Sequence, residues 1–204
     1  MITICSWRQT IVASLIGAVL LMAAPIPAAA SEEAEALIQH SADDVAAIIA
    51  NPSATVREKR SDIWQIIDRN TNSEQLARST LGNYAGALPQ KEIDRYVGAF
   101  RRYMRLQYAG QLAEATSLET TVTGSSEMRR SHATRVMSKV SLSGDVAHEV
   151  DWRVVGDEFV SDIQIDGIWL ISDLKNRLDP VLAKSGGSID AAIAYLNRDL
   201  PSDE

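Results

Sequence analysis

Near residue 118 the chain changes period, from apolar positions three and four apart to apolar positions two apart. In the first half, Leu37, Ile38, Val45, Ile48 and Ile49 follow helical spacing, and Asn51-Pro52 supplies a stop. A second helix begins near Ser53 with Val56, Ile63, Ile66 and Ile67 as its stripe, Trp64 beside it, and Arg69-Asn70-Thr71-Asn72 as the following loop. Ser73 is a candidate cap for a third helix that carries Leu76, Leu81 and Tyr84 and contains Gly82. A glycine in mid-helix costs about 1 kcal/mol relative to alanine, so Gly82 marks a close approach. After Leu88-Pro89 the longest amphipathic run places Ile93, Tyr96, Val97, Phe100, Tyr103, Met104, Tyr108 and Leu112 near one face. Arg95, Arg101, Arg102 and Arg105 occupy much of the other, the pattern of a solvated helix face that could also meet an acidic partner or a lipid head group.

Strands dominate from the Thr-rich segment after Leu118 onward. Val136, Ser138 and Val140 alternate with Arg135, Met137 and Lys139, and Ser143-Gly144-Asp145 forms a turn. Val146, His148, Val150, Trp152 and Val154 then alternate with Ala147, Glu149, Asp151, Arg153 and Val155 up to a turn at Gly156-Asp157. From Phe159, the set Val160, Asp162, Gln164 and Asp166 alternates with Ser161, Ile163 and Ile165. Gly167 breaks this strand as a bulge or sharp bend, and Ile168 to Ile171 resume the apolar run before a helix beginning near Asp173. Gly186-Gly187 and a short helix capped by Ser188, with Ile189, Ile193 and Leu196 inward, follow. Helices, then a meander, then covering helices predict an α+β fold: N-terminal helices on a curved antiparallel sheet of about four strands, with C-terminal helices over it.

The ends and the charge narrow the setting. Arg8, the apolar run from Ile11 to Ala24 and Ala28-Ala29-Ala30 predict a cleaved export signal at 1–30 and one domain at 31–204. The alternative, a membrane anchor, needs roughly 20 apolar residues, more than this run offers before Pro25 and Pro27. Cys5 precedes the run, so the exported chain contains no cysteine and rests on its own core. It carries 19 Lys and Arg against 27 Asp and Glu, a net of −8, which speaks against nucleic acid as a partner.

A search for chemistry returns little. His40, His132 and His148 have no partners at metal-ligand spacing, and neither a nucleophile elbow nor a phosphate loop is present. On a strand, His148 and Asp151 point to opposite faces. His148 is either a general base at a cleft mouth or a strand-end residue beside a turn. Asp162 and Asp166 are either a carboxylate pair or residues on the solvated side of a half-buried strand.

Several segments resemble the MlaC family, also called the toluene-tolerance auxiliary family. Thr80-Leu81-Gly82-Asn83-Tyr84 matches its leucine-glycine pair with a following aromatic, and Leu88-Pro89-Gln90 opens a helix holding Phe100, Tyr103 and Tyr108. Phe159-Val160-Ser161-Asp162-Ile163, Asp166-Gly167-Ile168 and the closing run Gly186 to Leu196 follow in the family's order and spacing. Phe159 and Ser161 depart from its larger aromatics, and Trp169 stands where a small polar residue is common, a change that would reshape a cavity.

The resemblance implies a monomeric periplasmic carrier, not an enzyme, without cofactor or metal. Phospholipid, or a hopanoid-type lipid in one branch of the family, would be its cargo, passed between an outer-membrane lipoprotein complex and an inner-membrane ABC transporter. Helices and sheet would then enclose an apolar cleft, with Leu81, Tyr84, Phe100, Met104, Tyr108, Val136, Val140, Val150, Trp152, Ile163 and Ile165 as its expected lining. Strand parity groups the last six, although core and cleft share one sequence pattern. Two other classes stand beside it. A periplasmic enzyme on a cone-shaped α+β scaffold would use His148 or an aspartate as general base on a small apolar substrate, and a buried carboxylate within hydrogen-bond reach of His148 would favour it. A non-transport binding module would have a solidly packed interior.

Overall fold

The computed structural model describes residues 31–198 and 200, so the predicted export signal lies outside the described residues. Three helices come first: α1 (Glu32–Ala50), α2 (Val56–Asn70) and α3 (Ser73–Leu81). Local side chains set their starts. Ser31 Oγ accepts from the Ala34 N–H at 3.0 Å, Asn72 Oδ1 accepts from Gln75 N–H at 3.0 Å, and Thr55 and Glu58 cap each other reciprocally. Val56 occupies the first turn of α2 and is 51% exposed, outside the buried stripe predicted for it. Gly82 ends α3 instead of lying within it, at φ 56° and ψ −130°, and a Cβ there would sit 2.8 Å from Lys175 Cε. The close approach is therefore real, but it is a helix terminus.

After a 3₁₀ segment at Gly82–Ala87, α4 (Gln90–Met104), one π turn (Arg105–Ala109) and α5 (Gly110–Glu114) run on as a continuous helix. Phe100, Met104, Tyr108 and Leu112 are spaced by four and would drift about 40° per step round an unbroken α-helix. The π turn takes up the extra residue and keeps Tyr108 and Leu112 on the inner face.

The sheet contains five antiparallel strands in chain order: β1 (Leu118–Met128), β2 (Ala133–Leu142), β3 (His148–Val155), β4 (Phe159–Ile165) and β5 (Ile168–Trp169). The fifth strand exists because Asp166 and Gly167, at φ 47° and 89°, form a two-residue hairpin that reverses the chain, where the sequence suggested only a bend. Consequently α6 (Leu170–Lys184) starts three residues before the predicted Asp173, followed by α7 (Ile189–Asn197). Within β4, Val160 pairs with Val154 and Asp162 with Arg153, so Ser161 is an extra, bulged residue. That bulge breaks the predicted parity: Val160 and Ile163, three apart, share a face.

The interior divides into three apolar clusters. One joins α3, α4, α6 and α7 around Leu81, Ile93, Tyr96, Phe100, Leu174, Leu178, Leu182 and Leu196. A second joins α1, α2 and α5 around Val45, Ile49, Ile63, Ile66 and Ala113, and a third packs the start of α1 on the sheet through Ala34, Ile38, Val136, Val154 and Val160. The arginine face of α4 is committed to helix packing: Arg95 donates to Asp190 of α7 at 2.5 Å, Arg101 pairs with Asp68 of α2, and Arg102 donates to Asn197 at 3.1 Å.

Candidate functional site

Where the three clusters would meet, they leave a cleft of about 350 Å³. Leu76 and Ile171 reach it from the helical cluster, Val45 and Ile66 from the second, and Ile38 and Val160 from the third. Its sheet wall is Val140, Leu142, Val150, Trp152, Ile163 and Ile165; α1, α2 and the continuous helix of α4, the π turn and α5 form the opposite side through Ala42, Ile67, Met104, Tyr108 and Leu112. A single domain usually closes one contiguous core, so this gap sits where packing would ordinarily be densest.

Seven of the eleven residues expected to line a cleft do so: Met104, Tyr108, Val140, Val150, Trp152, Ile163 and Ile165. The other four lie away from it, three in solid packing and Tyr84 half-buried against a cluster. Leu81 and Phe100 are fully enclosed among α3, α4, α6 and α7, with Tyr84 against the same cluster, and Val136 lies under α1 beside Ala34 and Ile38. Sequence reasoning missed Ile38, Val45, Ile66, Ile67, Leu112, Leu118 and Leu142. Their stripes in α1 and α2 were visible, but a stripe does not say whether it faces a neighbour or a void. Trp169 lies outside the lining, with the Arg153 guanidinium 4.2 Å from its ring centroid, so it does not shape the cleft.

Several polar groups in the wall are occupied by the protein itself. Asn70 Nδ2 donates to Ser41 Oγ at 2.7 Å, and Thr71 Oγ1 donates to the Ile67 carbonyl at 2.8 Å. Trp152 Nε1 donates to Ser138 Oγ at 2.9 Å, and that hydroxyl donates to the Val150 carbonyl, also at 2.9 Å. Nearly all of the surface that faces the void is carbon. Burial raises the Tyr108 hydroxyl above the ordinary tyrosine value, reinforced by the neighbouring Tyr103, whose ring stands edge-on at 6.1 Å. The phenol therefore stays neutral at physiological pH.

Asp162 is not on a solvated face. Its side chain is 1% exposed; Oδ1 accepts the N–H groups of Ile163 and Ile171, each at 2.9 Å, while Oδ2 accepts from Ser172 Oγ at 2.9 Å. It also faces Arg153 Nη1 at 3.5 Å. It caps α6 from the neighbouring strand, a structural task. Asp166 instead meets His148, Oδ2 to Nδ1 at 2.7 Å, at the edge of the cleft. Both side chains of that pair are more than half exposed (53% and 55%), so His148 lacks the buried carboxylate that a general base here would need. Among the described residues no three His, Cys, Asp or Glu side chains group to hold a metal, and no helix is long and apolar enough to cross a membrane.

Comparison with known proteins gives one family and one fold. The family model described as MlaC protein matches residues 39–198. Among solved structures, a phospholipid-binding protein from Ralstonia solanacearum, determined in complex with a phospholipid, superposes with a TM-score of 0.68 at 22% identity. The alignment covers 81% of this chain and 95% of that one. No curated protein sequence matches significantly. The family match spans most of the chain, and the fold agrees with it: this protein belongs to the MlaC family.

Proposed function

We propose that the protein is a monomeric periplasmic carrier that holds the acyl chains of a phospholipid in this cleft and passes the lipid between an outer-membrane lipoprotein complex and an inner-membrane ABC transporter. The observation that carries the proposal is the carbon-faced gap between three separate core clusters, with the hydrogen-bonding groups of Ser41, Asn70, Thr71 and Trp152 satisfied inside the wall. Such a surface recognises chains and leaves the head group to solvent. The Ralstonia protein of the same fold, solved with a phospholipid bound, supports that choice of cargo.

The energetics explain why a carrier would need no catalytic group. At about 0.8 kcal/mol per buried methylene, two chains of roughly 30 methylenes correspond to about 24 kcal/mol of gross transfer from water. Ordering costs consume much of this, yet a bound lipid still leaves for water very slowly, so release requires contact with an acceptor. Native mass spectrometry of protein purified from the bacterial envelope, with lipid extraction, tests the proposal. A bound species of diacyl-phospholipid mass is expected. Ligand-free protein that takes up no labelled phospholipid overturns it.

A further inference from the structure

The sheet face that lines the cleft does not stop at the cleft. Directly paired residues of antiparallel strands share a face, so the pairs Ser138↔Val150, Val150↔Ile165 and Ile165↔Ile168 form one row across β2, β3, β4 and β5. Exposure rises steadily along it: Ser138 3%, Val150 5%, Ile165 38%, Ile168 57%. Val150 and Ile165 line the cleft; Ile168, the next in the row, lies beyond it in solvent. The neighbouring rows are closed. The one through Trp152 and Ile163 runs into Leu170 and Ile171 at the start of α6, and the one through Val140 and His148 ends in the His148–Asp166 pair.

We infer that the Ile165–Ile168 edge is the portal of the cleft, an apolar ramp on which the acyl chains rest where they leave the interior and over which they slide in and out. This rests on the proposed lipid cargo. Two exposed isoleucines paired at the margin of a sheet, Ile165 of β4 and Ile168 of the edge strand β5, are a liability that soluble proteins normally blunt with charge. Here they continue a buried apolar wall, with a polar pair on one flank and α6 on the other. The size of the interior points the same way: about 350 Å³ is at the low end of small-molecule pockets, roughly 300–1,000 Å³, so a diacyl lipid extends past it along whatever apolar surface adjoins. The occupant of the ramp is thus the ligand's own chain.

The test uses the full chain with Cys5→Ser and one added cysteine, Ile168→Cys, bearing an environment-sensitive fluorophore. Loading from phosphatidylcholine vesicles, with occupancy confirmed by native mass spectrometry, should blue-shift the label. The same label at Val146→Cys, 83% exposed on the neighbouring loop and outside the row, should not shift. Ile168→Asp should slow loading and release about tenfold, the effect of a barrier raised by a charge in the chain's path. Lipid bound with no shift at position 168, or Ile168→Asp exchanging at the unmodified rate, overturns the portal while leaving the cargo in place. Absence of any bound lipid overturns both.

Discussion

At the scale of one residue, Asp162 shows how this chain joins its sheet to its helices. It is the only charged residue among the described ones that is buried, and α6 has no capping side chain of its own, because Trp169 occupies the cap position. The carboxylate reaches from β4 to the first turn of α6, where exposed N–H groups and the helix dipole favour negative charge. The Ser161 bulge makes this possible by re-aiming the strand. Asp162→Ala leaves the Ile171 N–H, the Ser172 hydroxyl and the Arg153 guanidinium without their acceptor and should cost about 3 kcal/mol in urea unfolding. Asp166→Ala, at a half-exposed site, should change stability by less than about 0.5 kcal/mol, although it lies only four residues away. Equal effects at the two positions would show that burial is not what distinguishes them.

At the scale of elements, the two glycines nearest in character to the eye behave oppositely. Gly82 sits at φ 56° and ψ −130°, a conformation open to glycine and strained for other residues, so Gly82→Ala should destabilise by about 2 kcal/mol. Gly98 lies inside α4 with nothing within 4 Å of an added Cβ, and Gly98→Ala should stabilise by about 1 kcal/mol in the same measurement. The periodicities of α1, α2 and α4 and the alternation of β2 and β3 were legible in the sequence because long amphipathic runs average over local exceptions. Boundaries depend on single residues and were less so. Gly82 falls in register with a helical stripe, and Asp166-Gly167 is a hairpin dipeptide whose second strand is only two residues long, too short to show a pattern before α6 begins. The bulge at Ser161 has no sequence mark at all, since any residue can be the extra one.

At the scale of the whole molecule, the cleft was legible as a class of surface and not as a place. Met104 and Phe100 occupy equivalent positions one turn apart on α4, yet one lines the gap and the other fills the helical core, because the difference is made by α6 and α7 arriving from far along the chain. Val136 and Val140 repeat the lesson on β2: the start of α1 packs directly on the first through Ala34 and Ile38, while the second lines the gap together with Ala42 and Val45 further along the same helix. A molecule whose three clusters meet around a void gives up packing that a bound chain restores, since each cluster contributes wall to the same space. Ligand that binds only the folded state stabilises by about 2.7 kcal/mol at a hundredfold excess over Kd. For a chain of this size, removing the lipid by unfolding and refolding on a reverse-phase support should therefore lower Tm by roughly 5–10 °C. Re-adding phosphatidylcholine should restore it. Ala42→Phe, which places a ring in the lining from α1, should instead leave Tm insensitive to lipid, because the void it fills is the one the chains would occupy. A calorimetric Tm that is the same for delipidated and loaded protein would mean that the three clusters are coupled without the ligand, and that the gap between them is not where lipid binds.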